Sequence, residues 1–188
     1  MNIPNFITFL RIISVPLVVW LLLEGNFKAA FWIFTIAAIS DALDGFIAKR
    51  FNMETELGKY LDPLADKALL MAVFITLGFN SIIPNWVVIL VVFRDIVIIV
   101  GALVFDTLTG SLTRHPMKPQ MVSKVNTTLQ LLYAGFVMAV TGYVIDVVGL
   151  DVFIDVLMVL MVMTTIISGV TIVAEALKRW SNSDNERV

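Results

Sequence analysis

Hydrophobic positions along this chain fall into six long runs separated by short polar breaks. Two of the runs, Val125 to Ile145 and Val156 to Ala174, contain no charged residue and reach the length of about 20 residues that a helix needs to cross a hydrocarbon layer. Four earlier runs are equally apolar but carry isolated charges. Arg11 interrupts Ile3 to Leu23, Asp41 and Asp44 interrupt Phe27 to Ala48, Asp62, Asp66 and Lys67 interrupt Leu61 to Phe79, and Arg94 and Asp95 interrupt Ile82 to Phe105. The breaks are Glu24 to Asn26, Asn52 to Gly58, Asn80 to Asn85, Asp106 to Pro119 and Asp146 to Asp151, all made of turn formers and charges. The pattern predicts an all-α membrane protein, a bundle of six transmembrane helices with a polar interior.

Composition sharpens that picture. The 188 residues are 59% hydrophobic and 15% charged, and the mean hydropathy is +0.94, which excludes an ordinary soluble domain and a disordered one. Residues 1–180 are expected to form a single transmembrane domain, and 181–188 a polar C-terminal tail. With no cysteine there are no disulfides, thiolate metal sites or cysteine nucleophiles. The first 24 residues lack a basic leader and a small-residue cleavage site, so they are read as a retained first helix. Net charge is only -2, but its distribution is informative. With both termini and the loops around Lys49 and Arg114 on one side, every basic residue except Lys28 falls on or toward that side. The positive-inside rule makes it cytoplasmic, with both termini inside.

The candidate chemistry sits in the stretch from Asp41 to Asp66. Intramembrane carboxylates are costly and generally mark ion sites or catalysis. Asp41 and Asp44 stand three apart, and Asp62 and Asp66 four apart, so on helices each pair shares a face. Consecutive antiparallel helices bring the two pairs to similar depth. Four convergent carboxylates repel one another unless a cation neutralises them, and hard oxygen donors point to Mg²⁺, Mn²⁺ or Ca²⁺ rather than zinc. Two such ions match the charge and suit phosphate chemistry, where metals clamp a diphosphate. Gly45, Ala48 and Gly58 allow a bulky ligand close to the backbone, although Gly45 and Ala48 would equally serve close helix packing.

The spacing Asp41-x2-Asp44-Gly45-x2-Ala48-x9-Gly58-x3-Asp62-x3-Asp66 resembles the signature of the CDP-alcohol phosphotransferases, membrane enzymes that build phospholipids from cytidine-diphosphate-activated lipids. One departure is Lys49, where the family usually has Arg; Arg50 follows it, and Lys lacks the bidentate fork. The resemblance implies that Asp41, Asp44, Asp62 and Asp66 bind metal, that Asp44 and Asp62 hold the CDP diphosphate, and that Asp66 is also the general base on the acceptor hydroxyl. It places Gly45, Ala48, Lys49 and Gly58 around the nucleotide, and it implies a homodimer.

Two further segments extend the likeness to about residue 130. Ile3-Pro4-Asn5-x2-Thr8-x2-Arg11-x4-Pro16 is similar to the N-terminal pattern of the phosphatidylglycerophosphate and cardiolipin synthase branch, which puts Asn5 and Thr8 on the nucleotide and Arg11 on the acceptor. Plainer roles are helix capping for Asn5 and Thr8 and snorkelling for Arg11. Phe93-Arg94-Asp95 together with Lys118-Pro119-x3-Ser123-Lys124-x-Asn126-Thr127-x2-Gln130 resembles the eukaryotic and mitochondrial type of cardiolipin synthase. Relatives using glycerol 3-phosphate more often carry a second lysine where this chain has Asn126. Arg94, Lys118, Lys124 and Asn126 are therefore the expected acceptor contacts. A phosphodiester acceptor such as phosphatidylglycerol carries one negative charge, whereas a monoester carries close to two and calls for more cations.

The expected reaction is phosphatidyl transfer from CDP-diacylglycerol to phosphatidylglycerol, giving cardiolipin and CMP, with glycerol 3-phosphate as the alternative acceptor. The expected setting is a bacterial inner membrane with the site facing the cytoplasm, and no nucleic-acid partner. An internal Arg94–Asp95 ion pair, a headgroup-binding loop around Arg114 and Lys118, and a loop position for His115 are the bland alternatives. An intramembrane prenyltransferase would separate its Asp-rich motifs more widely. An ion-coupled carrier would need a polar path that the fifth and sixth helices do not offer, and an inactive scaffold would not keep all four aspartates.

Overall fold

The computed structural model describes the backbone of residues 3–51, 56–109, 121–145 and 147–185, and within it the side chains of 10–40, 67–101, 121–145 and 147–174. The described chain forms six helices, α1 (Ile3–Leu23), α2 (Phe27–Phe51), α3 (Glu56–Phe79), α4 (Asn85–Thr109), α5 (Met121–Tyr143) and α6 (Leu150–Asn185), and contains no strand. Each carries one of the six apolar runs, α4 starting three residues into its run and α5 ending two residues before the end of its own. The isolated charges do not break the helices, because a single charge costs little helical propensity, and Lys67, Arg94 and Asp95 are paired inside the bundle. The last helix is longer than its apolar run and continues through residues 181–185. Its 36 residues span about 54 Å, well beyond the roughly 30 Å of a hydrocarbon layer.

Helix ends at one end of the bundle are locally specified. Asn26 N–H donates to the Leu21 carbonyl at 2.8 Å and Gly25 N–H to that of Leu22 at 3.2 Å. This is the paired closure of a helix whose next residue turns left-handed, and Gly25 takes that position at φ 73°. Asn26 then starts α2, its Oδ1 accepting from Ala29 N–H at 3.3 Å. The end of α3 closes the same way at Ser81 (φ 57°), with Ile82 N–H on the Leu77 carbonyl at 3.0 Å and Ser81 N–H on that of Gly78 at 2.9 Å.

α1 packs between α2 and α3, α5 lies against α2 and α6, and α4 joins α3 to α6. The core runs through Val18, Leu22, Phe34, Leu70, Val73, Phe74, Leu77, Val87, Val91, Tyr133, Ala134 and Met138, all buried. The outward faces are as apolar as the core: Trp20, Trp32, Ile36, Phe79, Ile89 and Phe93 are each more than half exposed, a surface suited to lipid rather than water. By length and composition, one stretch among the described residues, Leu150–Ala174, is long and apolar enough to cross a membrane. Leu10–Leu23, Phe27–Ser40 and Lys67–Phe79 are shorter apolar helices.

Candidate functional site

Specific contacts fix how the helices are set against one another. Asn80 Nδ2 donates to the Leu22 carbonyl at 2.9 Å, tying the ends of the parallel helices α1 and α3. Followed back along both helices, this register brings Thr8 to the level of Asp66, and Asn5 close to that of Asp62. Between the antiparallel α2 and α5, a Cβ added to Gly142 would stand 2.8 Å from the Lys28 backbone nitrogen, and one added to Gly135 would stand 3.7 Å from the Phe34 ring. The same register carries Asn126 to the level of Asp44 and Gln130 to that of Ser40. Phe74 of α3 stacks on Tyr133 of α5 with ring centres 6.2 Å apart, and from there Asn126 is level with Lys67. These registers place the four aspartates, Asn5, Thr8 and Asn126, from α1, α2, α3 and α5, in one layer about two helical turns deep.

The side chains of Asn5, Thr8, Asp41, Asp44, Gly45, Ala48, Lys49, Gly58, Asp62 and Asp66 lie outside the described residues, as do Arg114, His115 and Lys118 altogether. What is set for the carboxylates is their place on two helices, at spacings of three and four. Their donor chemistry fits a hard divalent cation. Among the described residues there is no group of three acidic, histidine or cysteine side chains that could hold a metal ion.

Of the acceptor candidates, Arg11 is 4% exposed, and its carbonyl accepts from Ser14 Oγ at 2.7 Å. It lines a cavity of about 230 Å³ between α1 and α2, together with Leu10, Ser14, Ile33, Ala37 and Ser40. Ser40 is the residue before Asp41, so this cavity adjoins the carboxylate level. Lys124 is exposed.

Arg94 is enclosed. Its Nη1 donates to Asp95 Oδ1 at 2.6 Å, while its Nη2 reaches Ser123 Oγ at 2.7 Å and Ser168 Oγ at 2.6 Å. Lys67 Nζ meets the same Asp95 oxygen at 2.7 Å. The internal ion pair weighed for Arg94 and Asp95 is therefore present, and it extends to four helices. Beside it Asn126, fully buried, accepts at Oδ1 from Thr165 at 2.7 Å and from Thr164 at 3.0 Å. Its Nδ2, and both amide atoms of the buried Gln130, have no hydrogen-bond partner. On the outer side of Arg94 an apolar groove of about 520 Å³ runs between α4 and α6, lined by Leu90, Phe93, Val97, Ile166 and Val170.

Several members of this network were not singled out from the sequence. Lys67 registers there only as a charge interrupting an apolar run, and Thr164, Thr165 and Ser168 pass as tolerated polar residues in a span. The available signal was their spacing: in an otherwise apolar helix, 164, 165 and 168 fall on one face, as do Ser123, Asn126 and Gln130 on α5.

Known proteins can now be set beside this geometry. A family model described as CDP-alcohol phosphatidyltransferase matches residues 1–168. The cardiolipin synthase (CMP-forming) of Rattus norvegicus is 35% identical over 144 residues, covering 70% of this chain and 48% of the rat protein. That of Streptomyces coelicolor is 30% identical over 142 residues, covering 71% and 63%. A probable phosphatidylglycerophosphate synthase of Mycobacterium tuberculosis is 31% identical over 184 residues, covering 94% of this chain and 82% of that protein. The match thus spans about half the length of the rat and human cardiolipin synthases.

Proposed function

Because this chain belongs to the CDP-alcohol phosphatidyltransferase family, we propose that it transfers a phosphatidyl group from CDP-diacylglycerol to the hydroxyl of phosphatidylglycerol, releasing CMP and forming cardiolipin. The observation that carries this reading is the shared level of the aspartate-bearing segments of α2 and α3 with Asn126 and Lys67, which sets an acceptor region beside a diphosphate site. Similarity to the rat and Streptomyces coelicolor cardiolipin synthases supports it.

In this reading Asp41, Asp44, Asp62 and Asp66 hold two divalent ions, Mg²⁺ or Mn²⁺, and Asn5, Thr8, Gly45, Ala48, Lys49 and Gly58 surround the nucleotide. A bound divalent metal would neutralise the diphosphate and stabilise the charge developing on the departing CMP. Asp66 takes the proton of the acceptor hydroxyl. The hydroxyl oxygen then bonds to the lipid-side phosphorus as the bond from that phosphorus to the CMP oxygen breaks, with no covalent enzyme intermediate. Arg11, Arg94, Lys118, Lys124 and Asn126 form the acceptor side.

The proposal includes six membrane spans, both termini and the site on the cytoplasmic side of a bacterial inner membrane, a single domain over 1–180 with 181–188 as a tail, and a homodimer. The apolar outer faces of the helices and the distribution of basic residues support the spans and their orientation.

A specific observation favours a second reading. A relative that matches nearly the whole chain is a probable phosphatidylglycerophosphate synthase, which makes glycerol 3-phosphate the alternative acceptor. CMP release by the purified protein, with CDP-diacylglycerol and Mg²⁺ or Mn²⁺ and each acceptor in turn, tests both. Turnover with phosphatidylglycerol alone is expected. Turnover with glycerol 3-phosphate alone would replace the acceptor assignment, and turnover with neither would overturn it.

A further inference from the structure

Among the described residues, the buried charge cluster holds two cations and one carboxylate. Lys67 and Arg94 meet the same oxygen of Asp95, at 2.7 and 2.6 Å, so two cations face one anion inside the bundle. The two cations are not equivalent. Arg94 is held from three sides, by Asp95, Ser123 and Ser168, and its side chain is 3% exposed. Lys67 makes one hydrogen bond, to Asp95, and its side chain is 15% exposed. An ammonium carries three donors, so two remain available. Lys67 also follows Asp66 directly, and it shares its level with Asn126, whose Nδ2 is buried without a hydrogen-bond partner. Among the described residues, the spare donors of Lys67 and the unused Asn126 amide donor at its level are the groups that offer themselves to an anion, while Asp95 Oδ2 and Gln130 Oε1 stand without a hydrogen-bond partner.

Resting on the reading above, we propose that Lys67 binds the phosphate ester of the acceptor, and that Asp95 and Arg94 are positioning residues that hold its ammonium in place. The chemistry of the acceptor fits this arrangement. In a glycerol phosphate ester the attacking hydroxyl lies only a few bonds from the phosphorus, and the proposed base and Lys67 are adjacent on one helix. Arg94 and Asp95, both on α4, balance each other in charge; Lys67 joins α3 to that pair and gives the described cluster one net positive charge. The shared chemistry is a phosphate ester, supplied either by a phosphodiester lipid or by a phosphomonoester.

The test uses the full chain in detergent and follows its thermal unfolding midpoint. The probes are dihexanoyl phosphatidylglycerol, glycerol 3-phosphate, neutral dihexanoylglycerol, and CDP. We expect at least one of the two anions to raise the midpoint and the neutral lipid not to; which anion acts identifies the source of the phosphate. Lys67→Ala should need about ten- to a hundred-fold more of that anion, the range of one charge-assisted hydrogen bond. Lys67→Arg should restore the response, Asp95→Asn should weaken it, and the response to CDP should stay unchanged in all three. If Lys67→Ala does not fold, Lys67→Gln, which keeps a donor for Asp95, is read in its place. An unchanged anion titration in Lys67→Ala, a parallel loss of the CDP response, or no response of the unmodified protein to either anion would overturn the assignment. CMP release measured on the same samples separates the two readings, since Lys67-dependent anion binding without turnover refutes the proposed reaction and keeps the site.

Discussion

The two halves of α3 are held in place by different forces. From Leu69 to Leu77 the helix buries Leu69, Leu70, Val73, Phe74 and Leu77 against its neighbours, with no more than 3% of any of them exposed. From Asp62 to Lys67 it carries three charges within six residues, and the described one, Lys67, is tied to α4 by a bond to a carboxylate. Between lipid-facing helices there is little hydrophobic drive to associate, so close packing and interhelical polar bonds carry the assembly. The apolar half is placed by shape, which tolerates small adjustments. At Lys67 the polar half is placed by a directional bond, which sets position more narrowly and loses more when its partner is removed.

Four substitutions test that contrast, beginning with the largest effect. Asp66→Asn is expected to lower CMP release by about a thousand-fold or more, within the usual range for loss of a general base, while binding of the CDP-lipid persists; Asp44→Asn should lose both. Retained turnover in pure Asp66→Asn would remove the base assignment. Asp95→Ala leaves Lys67 and Arg94 without their counter-charge and is expected to destabilise by about 3–5 kcal/mol, read from reversible unfolding in detergent. Leu70→Ala, in the apolar half, should cost about 2–3 kcal/mol and leave the acceptor KM of the folded protein unchanged. Equal effects of these two on acceptor KM would erase the distinction between the halves.

At the end of the bundle away from the carboxylates the expected effects are smaller. A Cβ on Gly142 would press on the Lys28 backbone at 2.8 Å, so Gly142→Ala should cost about 1–3 kcal/mol through overpacking. A neutral result there would mean that α2 and α5 slide apart freely, and the register drawn from that contact would fall with it. Trp32 Nε1 donates to the Tyr143 hydroxyl at 2.8 Å on the exposed surface. Tyr143→Phe should cost no more than about 1 kcal/mol and leave turnover intact.

The sequence alone determined the six helices, because a run of apolar residues with turn formers at its ends has few other ways to satisfy its backbone in an apolar setting. It also carried the family, because Asp41, Asp44, Gly45, Ala48, Gly58, Asp62 and Asp66 stand at fixed spacings along two adjacent helices. Helical periodicity turns such local spacing into geometry without further information.

Only the tertiary structure decided which distant residues meet. Nothing in the spacing of Lys67, Asp95, Ser123 and Ser168 says that one arginine would bind the two serines while its neighbouring aspartate holds the lysine, because those contacts depend on how α3, α4, α5 and α6 are rotated and offset against one another. That choice follows from summed packing along each interface, such as Phe74 on Tyr133 and Val88 against Gly78. It enclosed Arg94, an expected acceptor contact, at the centre of a network, and brought out Lys67, which the sequence had shown only as a charge interrupting an apolar run.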